Sequence, residues 1–132
     1  MELVKRSSSI GRMLVHLCFK VKYCHRIFDD SRIEKRCAEI FREVANRYGL
    51  AITELGFDKD HVHMIVDIGL RSVPDVAKIL KGTSGKFLLK EFPFLKSDYF
   101  WNSGLWGSQT YFDSVGQNLD ELSKYVRYQG SQ

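Results

Sequence analysis

The chain has too few cysteines for a disulfide framework. Only Cys18, Cys24 and Cys37 occur among 132 residues, and no two of them form a CxxC pair. Small disulfide-rich scaffolds and cysteine-based zinc sites need more sulfur atoms at closer spacing, so both classes are disfavoured. This cysteine usage predicts a reducing, cytoplasmic environment.

Long apolar segments are also missing. The longest apolar stretch, near residues 13–19, is interrupted by His16. It falls far short of the ~20 residues that a membrane helix needs. We interpret residues 1–12 as a polar N-terminal tail, and its start lacks the apolar region of a signal peptide. No repeat or low-complexity tract is evident, and we expect no membrane partner.

What remains is the composition of one soluble globular domain spanning residues 1–132. Hydrophobic residues make up 44% of the chain and charged residues 27%, and the formal net charge is +4. Residues 71–96 carry six basic and two acidic groups at spacings that a helix would place along one stripe. Such a stripe can face phosphates, although on charge alone a simple solvated helix face is the better explanation. The basic residues are Arg71, Lys78, Lys81, Lys86, Lys90 and Lys96.

Local patterns predict the first half of the fold. Alternating apolar residues indicate a half-buried strand over residues 13–23, with basic groups on its second face. Ser31 and Glu34 have the spacing of a capping box, which begins a helix that Gly49 ends. Residues 51–57 and 61–68 predict two strands of an antiparallel hairpin.

The second half contains two further helices and a strand. A helix is expected to begin at Ser72 and to run towards Pro93, with a break possible at Gly82 or Gly85. We predict a loop over 99–107, a strand over 109–115 and a C-terminal helix over 117–130. This element order predicts the α+β class, with a ferredoxin-like split βαβ antiparallel sheet and an added C-terminal helix. That fold hosts unrelated functions, so it does not decide the activity.

A pair of histidines is the most informative feature. His61 and His63 lie two residues apart on a predicted strand, so their side chains share one face. Two imidazoles in that position can converge on one divalent ion. Two surface histidines on a polar strand face are the alternative interpretation, and the HxH spacing alone does not exclude it.

Tyr125 lies on the predicted last helix, at the border of the apolar stripe formed by Leu119, Leu122 and Val126. Taken alone, it would be interpreted as a tyrosine at the edge of the core with its hydroxyl in water.

Three motifs together resemble the single-tyrosine HUH transposases of small prokaryotic insertion sequences, which act on single-stranded DNA. The resemblance covers nearly the whole chain, including its length and element order. The motifs are His61-Val62-His63, Leu105-Trp106-Gly107 with Tyr111-Phe112-x-Ser114-Val115-Gly116, and Lys124-Tyr125-Val126-x-x-Gln129.

The resemblance implies a role for each motif residue. His61, His63 and Gln129 would hold a divalent metal, Mg²⁺ or Mn²⁺, and Tyr125 would be the nucleophile. Tyr125 would cleave single-stranded DNA and keep the 5′-phosphate as a phosphotyrosine, so that the strand can be rejoined without ATP.

The resemblance also implies partners. The expected substrate is single-stranded DNA with hairpins near the ends of the element. The expected assembly is a homodimer in which the tyrosine helix of one chain can complete the metal site of the other. Candidate DNA contacts are Lys20, Lys22, Arg26, Lys78, Lys81, Lys86, Trp101 and Trp106.

Two other classes remain open at this point. A non-catalytic nucleic-acid-binding module of ferredoxin-like fold would bind without a covalent adduct, and an inactive regulatory relative would retain the same residues. A two-histidine phosphodiesterase fits less well, because that type needs two H-x-[Ser/Thr] motifs and the chain has one HxH.

Overall fold

The computed structural model describes residues 4–6, 9–101, 103–115 and 123–127. Short 3₁₀ turns at Lys22–Cys24 and Ile27–Asp29 and a π-helical turn at Lys96–Phe100 complete the description, and residues 123–127 are helical. In chain order the main elements are β1 (Val4–Arg6), β2 (Ser9–Gly11), β3 (Leu14–Val21), α1 (Ser31–Tyr48), β4 (Ala51–Phe57), β5 (His61–Asp67), α2 (Val73–Glu91), α3 (Pro93–Leu95) and β6 (Trp106–Ser114).

Four of these strands form one sheet in the order β4-β5-β3-β6, and every neighbouring pair is antiparallel. Helix α1 connects β3 with β4, and β5 lies between these two strands in the sheet. Helix α2 lies in the connection from β5 to β6, and β3 lies between those two strands. This is the split βαβ arrangement that the element order predicted. The α+β ferredoxin-like prediction is confirmed for the sheet and its two long helices.

Alternation along the strands divides the sheet into two faces. Val15, Leu17 and Phe19 on β3 belong to the buried core, together with apolar residues of both long helices. Residues between them in the sequence point to the opposite face. The same alternation in β5 places Val62 and Met64 in the core, so His61 and His63 are carried on the opposite face.

The start of α1 differs from the prediction by one residue. Asp30, not Ser31, is the N-cap, and its carboxylate accepts a hydrogen bond from the backbone N–H of Arg32 at 3.0 Å. A carboxylate at this position also interacts favourably with the positive end of the helix dipole, which a serine hydroxyl does not match. The predicted end is confirmed, since Gly49 has a φ of 70° and its N–H donates to the carbonyl of Ala45.

Helix α2 is continuous through both of its glycines. Ser72 caps it by accepting a hydrogen bond from the N–H of Asp75 at 3.2 Å. The Trp106 indole lies close beside Gly85, where an added Cβ would be 3.6 Å from the ring. Trp106 also donates its indole N–H to the hydroxyl of Ser84 at 2.8 Å. The break considered at these glycines is therefore absent, and the hydroxyl of Ser84 joins α2 to the tryptophan.

Ser84→Ala is expected to lower the free energy of unfolding by about 1–3 kcal/mol, because the buried indole N–H of Trp106 would lose its acceptor. Urea denaturation measures the change. Ser108→Ala, at an exposed position of β6, is the matched control and should change stability little. Equal stability of the two variants would contradict this role of the hydroxyl.

Two further boundaries differ from the sequence expectations. Part of the predicted N-terminal tail forms a ladder, in which β1 pairs antiparallel with β2. The predicted loop over 99–107 is shorter, because Phe100 belongs to a π-helical turn and β6 begins at Trp106, where it pairs with Val21. Pairing with β3 extends the strand beyond what local propensity indicates. Among the described residues, no helix is both long and apolar enough to cross a membrane.

Candidate active site

The sheet face opposite the two long helices gathers the polar side chains of its central strands. On β3 these are His16, Cys18 and Lys20, and on β5 they are His61 and His63. The register pairs Cys18 with His63 and Lys20 with His61. Direct cross-strand neighbours on one face have Cβ atoms about 4.5–5.5 Å apart, so these residues form one cluster.

The two histidines of the HxH motif lie against each other. Their ring centroids are 4.8 Å apart and their planes are inclined by 76°. Nδ1 of His61 is 2.7 Å from a carboxylate oxygen of Asp60, while Nε2 lies 4.0 Å from a carboxylate oxygen of Asp58. A carboxylate on one ring nitrogen orients an imidazole and makes the other nitrogen a better electron-pair donor to a metal ion. His61 therefore presents Nε2 for binding.

His63 is more deeply buried than His61. Burial, followed by the neighbouring His61 and His16, lowers its pKa to about 4. The ring is therefore neutral at physiological pH, which is the state in which an imidazole binds a cation. Its Nδ1 lies 3.0 Å from Nε2 of His16, and its Nε2 lies 3.9 Å from the sulfur of Cys18. Burial raises the pKa of Cys18, so that sulfur remains a thiol.

Tyr125 reaches this cluster from the C-terminal segment. Its ring centroid is 5.7 Å from that of His63, with the planes inclined by 84° in an edge-to-face contact. Its side chain remains 53% exposed, so its hydroxyl is accessible to a large substrate. The structure thus brings together three of the predicted site residues, His61, His63 and Tyr125. Gln129, the fourth, lies outside the described residues.

Three contacts hold the tyrosine segment on the sheet. Val126, next to the tyrosine, is completely buried. Its carbonyl lies so close to Gly56 of β4 that a Cβ at this glycine would overlap the oxygen. The guanidinium of Arg127 donates to both carboxylate oxygens of Glu54, at 2.5 and 3.3 Å. Together these contacts fix where Tyr125 meets His63.

Gly56→Ala is expected to displace the segment at 123–127, because the new methyl would overlap a backbone oxygen that no side-chain rotation can move. We expect a loss of roughly 1–3 kcal/mol in stability. Nuclear Overhauser contacts between the rings of Tyr125 and His63 should also disappear. Gly82→Ala has open space around its new methyl and serves as the control. Unchanged ring contacts in the Gly56 variant would refute this docking.

The described residues supply only part of a metal site. No group of three or more His, Cys, Asp and Glu side chains among them is arranged to hold an ion. Two imidazoles with their Nδ1 atoms engaged are nevertheless a donor set that suits a divalent ion with open positions. His61 and His63 are thus compatible with such an ion, provided that another residue, water or substrate completes the coordination.

Comparison with known proteins decides the family. The family described as "Transposase IS200 like" matches residues 9–129. The chain belongs to this family. Its function is accordingly that of a DNA transposase, an enzyme that processes DNA during the transposition of insertion sequences.

Curated relatives agree with this assignment. The ISDra2 transposase TnpA of Deinococcus radiodurans is 27% identical over 131 residues, covering 98% of this chain and 92% of the relative. The transposase for insertion sequence element IS200 of Salmonella typhimurium is 30% identical over 115 residues, covering 86% and 74%.

Solved structures share the fold of the transposase. A crystal structure from Deinococcus radiodurans R1, assigned as a transposase, has a TM-score of 0.76 at 26% identity and covers 96% of this chain and 97% of that one. A REP-associated tyrosine transposase, bound to a REP hairpin, has a TM-score of 0.62 at 10% identity and covers 93% and 69%.

The basic residues predicted to bind DNA occupy different places in the transposase. Lys20 lies on the same face as the histidines, with its ammonium 4.8 Å from the centre of the Tyr111 ring. The ammonium of Lys22 lies 5.6 Å from the centre of the Tyr23 ring. Arg26 forms an exposed ion pair with Asp29 at 3.2 Å. Lys20 is therefore the predicted DNA contact that lies nearest to the histidine pair in the sheet register.

The lysines of α2 lie on the helix side of the sheet. Lys78 and Lys81 line a groove of about 430 Å³ between α2 and β6, and Lys86 lines the neighbouring one. Lys81 already makes hydrogen bonds within the protein, because its ammonium donates to the carbonyls of Gly107 and Gln109 at 3.1 and 2.8 Å. Burial lowers its pKa. These lysines are not part of the histidine cluster.

The two tryptophans differ in exposure. Trp101 is 73% exposed, so its ring face is available for stacking on a base. Trp106 is only 8% exposed and packs against Phe19, Phe28 and Phe41. The prediction of Trp106 as a DNA contact is therefore wrong, because α2 and the aromatic core cover its ring.

Sequence reasoning missed three parts of the site. Strand alternation places His16 on the polar face of β3, but no spacing in the sequence connects it with His63. Glu54 and Arg127 are 73 residues apart, and no pattern pairs them. No sequence pattern singles out Gly56, because its role depends on the backbone of Val126 that approaches it in the fold.

Proposed function

We propose that this transposase cleaves and rejoins single strands of DNA through a covalent phosphotyrosine at Tyr125. The observation that supports this most directly is the edge-to-face contact of the Tyr125 ring with His63, beside His61. An accessible phenol next to two imidazoles combines a nucleophile with a site for an ion that binds phosphate. A simple binding module would not need this combination.

The chemistry is an exchange of phosphodiester bonds. The Tyr125 oxygen attacks phosphorus, the bond from phosphorus to the 3′-oxygen breaks, and that oxygen leaves as a 3′-hydroxyl with a proton. The new bond joins the tyrosine to the 5′-phosphate. In the reverse sense, the 3′-hydroxyl of another strand attacks the same phosphorus, and Tyr125 leaves. One ester bond is exchanged for another in each step, so no nucleotide cofactor is consumed.

We further propose that His61 and His63, with Gln129, hold Mg²⁺ or Mn²⁺. When bound, such an ion neutralises phosphate charge and polarises phosphorus. The contribution of the protein is orientation, because Asp60 holds the ring of His61 and His16 holds the ring of His63. Lys20 adds a positive charge on the same face, where it can attract a phosphate.

The substrate that we propose is single-stranded DNA with a hairpin near each end of the element. Family membership supports it, and the REP-associated transposase with the same fold is bound to a hairpin. We also propose a homodimer whose sites are completed across chains, although Tyr125 here lies against His63 of its own chain.

A labelled hairpin with a single-stranded flank from the genomic neighbourhood tests the reaction. The wild-type protein is incubated with it and Mn²⁺, and the products are separated under denaturing conditions. We expect a covalent protein–DNA band that carries a label placed on the 3′ side of the cleavage point, and peptide mapping should find the modification on Tyr125. EDTA should abolish the band. Hairpin retention in a native gel without any adduct would instead favour the binding module.

A further inference from the structure

A third histidine, His16, contacts His63, one of the two proposed metal ligands, from the neighbouring strand. It lies on β3 and pairs with Ile65 of β5, two residues from His63 on the same face. The ring planes of His16 and His63 are nearly parallel, inclined by 12°, and their centroids are 5.2 Å apart. Nε2 of His16 is 3.0 Å from Nδ1 of His63, which is hydrogen-bond distance.

Both histidines of the HxH motif therefore have Nδ1 engaged. A carboxylate oxygen of Asp60 is hydrogen-bonded to Nδ1 of His61, and Nε2 of His16 is hydrogen-bonded to Nδ1 of His63. In each case Nε2 is the nitrogen left for a ligand. A partner on the far nitrogen is what holds a metal-binding imidazole in one ring orientation and one tautomer.

The direction of the bond between the two rings has a chemical consequence. A neutral imidazole carries one N–H and one lone pair. His63 can offer a lone pair at Nε2 only if its proton is on Nδ1, in which case Nδ1–H donates to Nε2 of His16. The opposite direction would place the proton of His63 on Nε2 and block that nitrogen.

The surroundings favour the productive direction. Within the described residues, the thiol of Cys18 lies 3.9 Å from Nε2 of His63, and a thiol is a weak donor that faces a lone pair more favourably than another N–H. For Nε2 of His16 to accept this bond, the proton of the His16 ring is on Nδ1, the nitrogen that does not face His63.

We propose that His16 is a positioning residue, which accepts a hydrogen bond from Nδ1–H of His63 and thereby directs the Nε2 lone pair of His63 towards the reaction site. In its role for the metal, this inference rests on the proposed function. The arrangement of the protons can be tested without metal.

Long-range proton–nitrogen spectra of the imidazole rings test the tautomer in the metal-free protein labelled with ¹⁵N. In the wild type, His63 should show a protonated Nδ1 and an unprotonated Nε2. His16→Leu removes the acceptor and should shift His63 towards the Nε2–H tautomer or a mixture. His16→Gln provides a carboxamide oxygen as acceptor and should restore the wild-type pattern. A protonated Nε2 in the wild type, or no change in His16→Leu, would overturn the inference.

Mn²⁺ titration of the same three proteins separates this inference from the proposed function. The dissociation constant should rise about 10–100-fold in His16→Leu and return to within a few-fold of wild type in His16→Gln. Thermal melts check that each variant is folded, and rescue by glutamine distinguishes positioning from a general loss of structure. If both variants bind Mn²⁺ as the wild type does, His16 has no positioning role. If the wild type binds no Mn²⁺ but His63 has the expected tautomer, the metal proposal fails and the positioning stands.

Discussion

Tyr125→Phe is expected to abolish the covalent protein–DNA adduct. The substitution removes only the hydroxyl oxygen, so the ring can keep its edge-to-face contact with His63 and the neighbouring Val126 can remain buried. Without that oxygen, no bond to phosphorus can form. Loss of a covalent nucleophile lowers turnover by factors on the order of 10⁶ in a well-studied hydrolase, which is below the detection limit of a gel assay. Denaturing electrophoresis with labelled single-stranded hairpin DNA measures the loss.

Tyr128→Phe is the matched control, because it removes the hydroxyl of the other tyrosine in the same C-terminal segment. We expect adduct formation to continue in this variant. Hairpin retention in a native gel should be similar for both variants and the wild type, since neither change alters a basic residue. An adduct that persists in Tyr125→Phe, or that disappears only in Tyr128→Phe, would show that the nucleophile has been misassigned.

Mixing two inactive variants tests which chain supplies the tyrosine. Tyr125→Phe keeps both histidines, and the double variant His61→Ala, His63→Ala keeps the tyrosine. A dimer whose sites are completed across chains contains one complete site in the mixed pair, so co-expressed subunits should regain adduct formation. Sites formed within one chain remain incomplete in every pair. No recovery would therefore assign the reaction to the arrangement in which Tyr125 meets His63 of its own chain.

Residue patterns predicted the strand faces well, because burial on one side imposes a period of two. Val62 and Met64 are in the core, and His61 and His63 share the opposite face as the alternation indicated. The end of α1 was also predictable, since few residues other than glycine adopt the positive φ observed at Gly49. These are local properties of the chain.

Contacts between distant segments could not be predicted in the same way. The pairing register of β3 with β5 places His16 beside His63, but a single sequence does not specify a register between strands this far apart. The sequence places Trp106 in a loop as a candidate DNA contact, whereas packing against the aromatic core decides its position. The HxH spacing therefore predicts one part of the site, the histidine pair. The other part, the contact with His16, depends on how the strands are paired.

Replacing His61 and His63 together with alanine is expected to abolish cleavage while leaving most of the hairpin binding. Both Nε2 donors would be lost, and the metal contribution to such reactions is worth several kcal/mol. Each 1.36 kcal/mol is a factor of ten in rate, so a decrease of about 10³-fold or more should follow. Binding should persist, because contacts between basic side chains and phosphates supply most of the affinity for DNA. Adduct formation and native-gel retention, measured with the same labelled hairpin, separate the two effects.

His25→Ala is a suitable control for this double variant, because His25 packs on Tyr99 and Phe100 away from the histidine cluster. His63 is almost fully buried, so its replacement can also weaken the fold. His61→Ala alone avoids that difficulty, since its side chain is 19% exposed and its loss leaves less empty space. Thermal unfolding of each variant identifies any general loss of structure. Continued cleavage by the folded His61 variant at wild-type rate, in Mn²⁺ and after EDTA treatment alike, would show that the pair does not hold a catalytic ion.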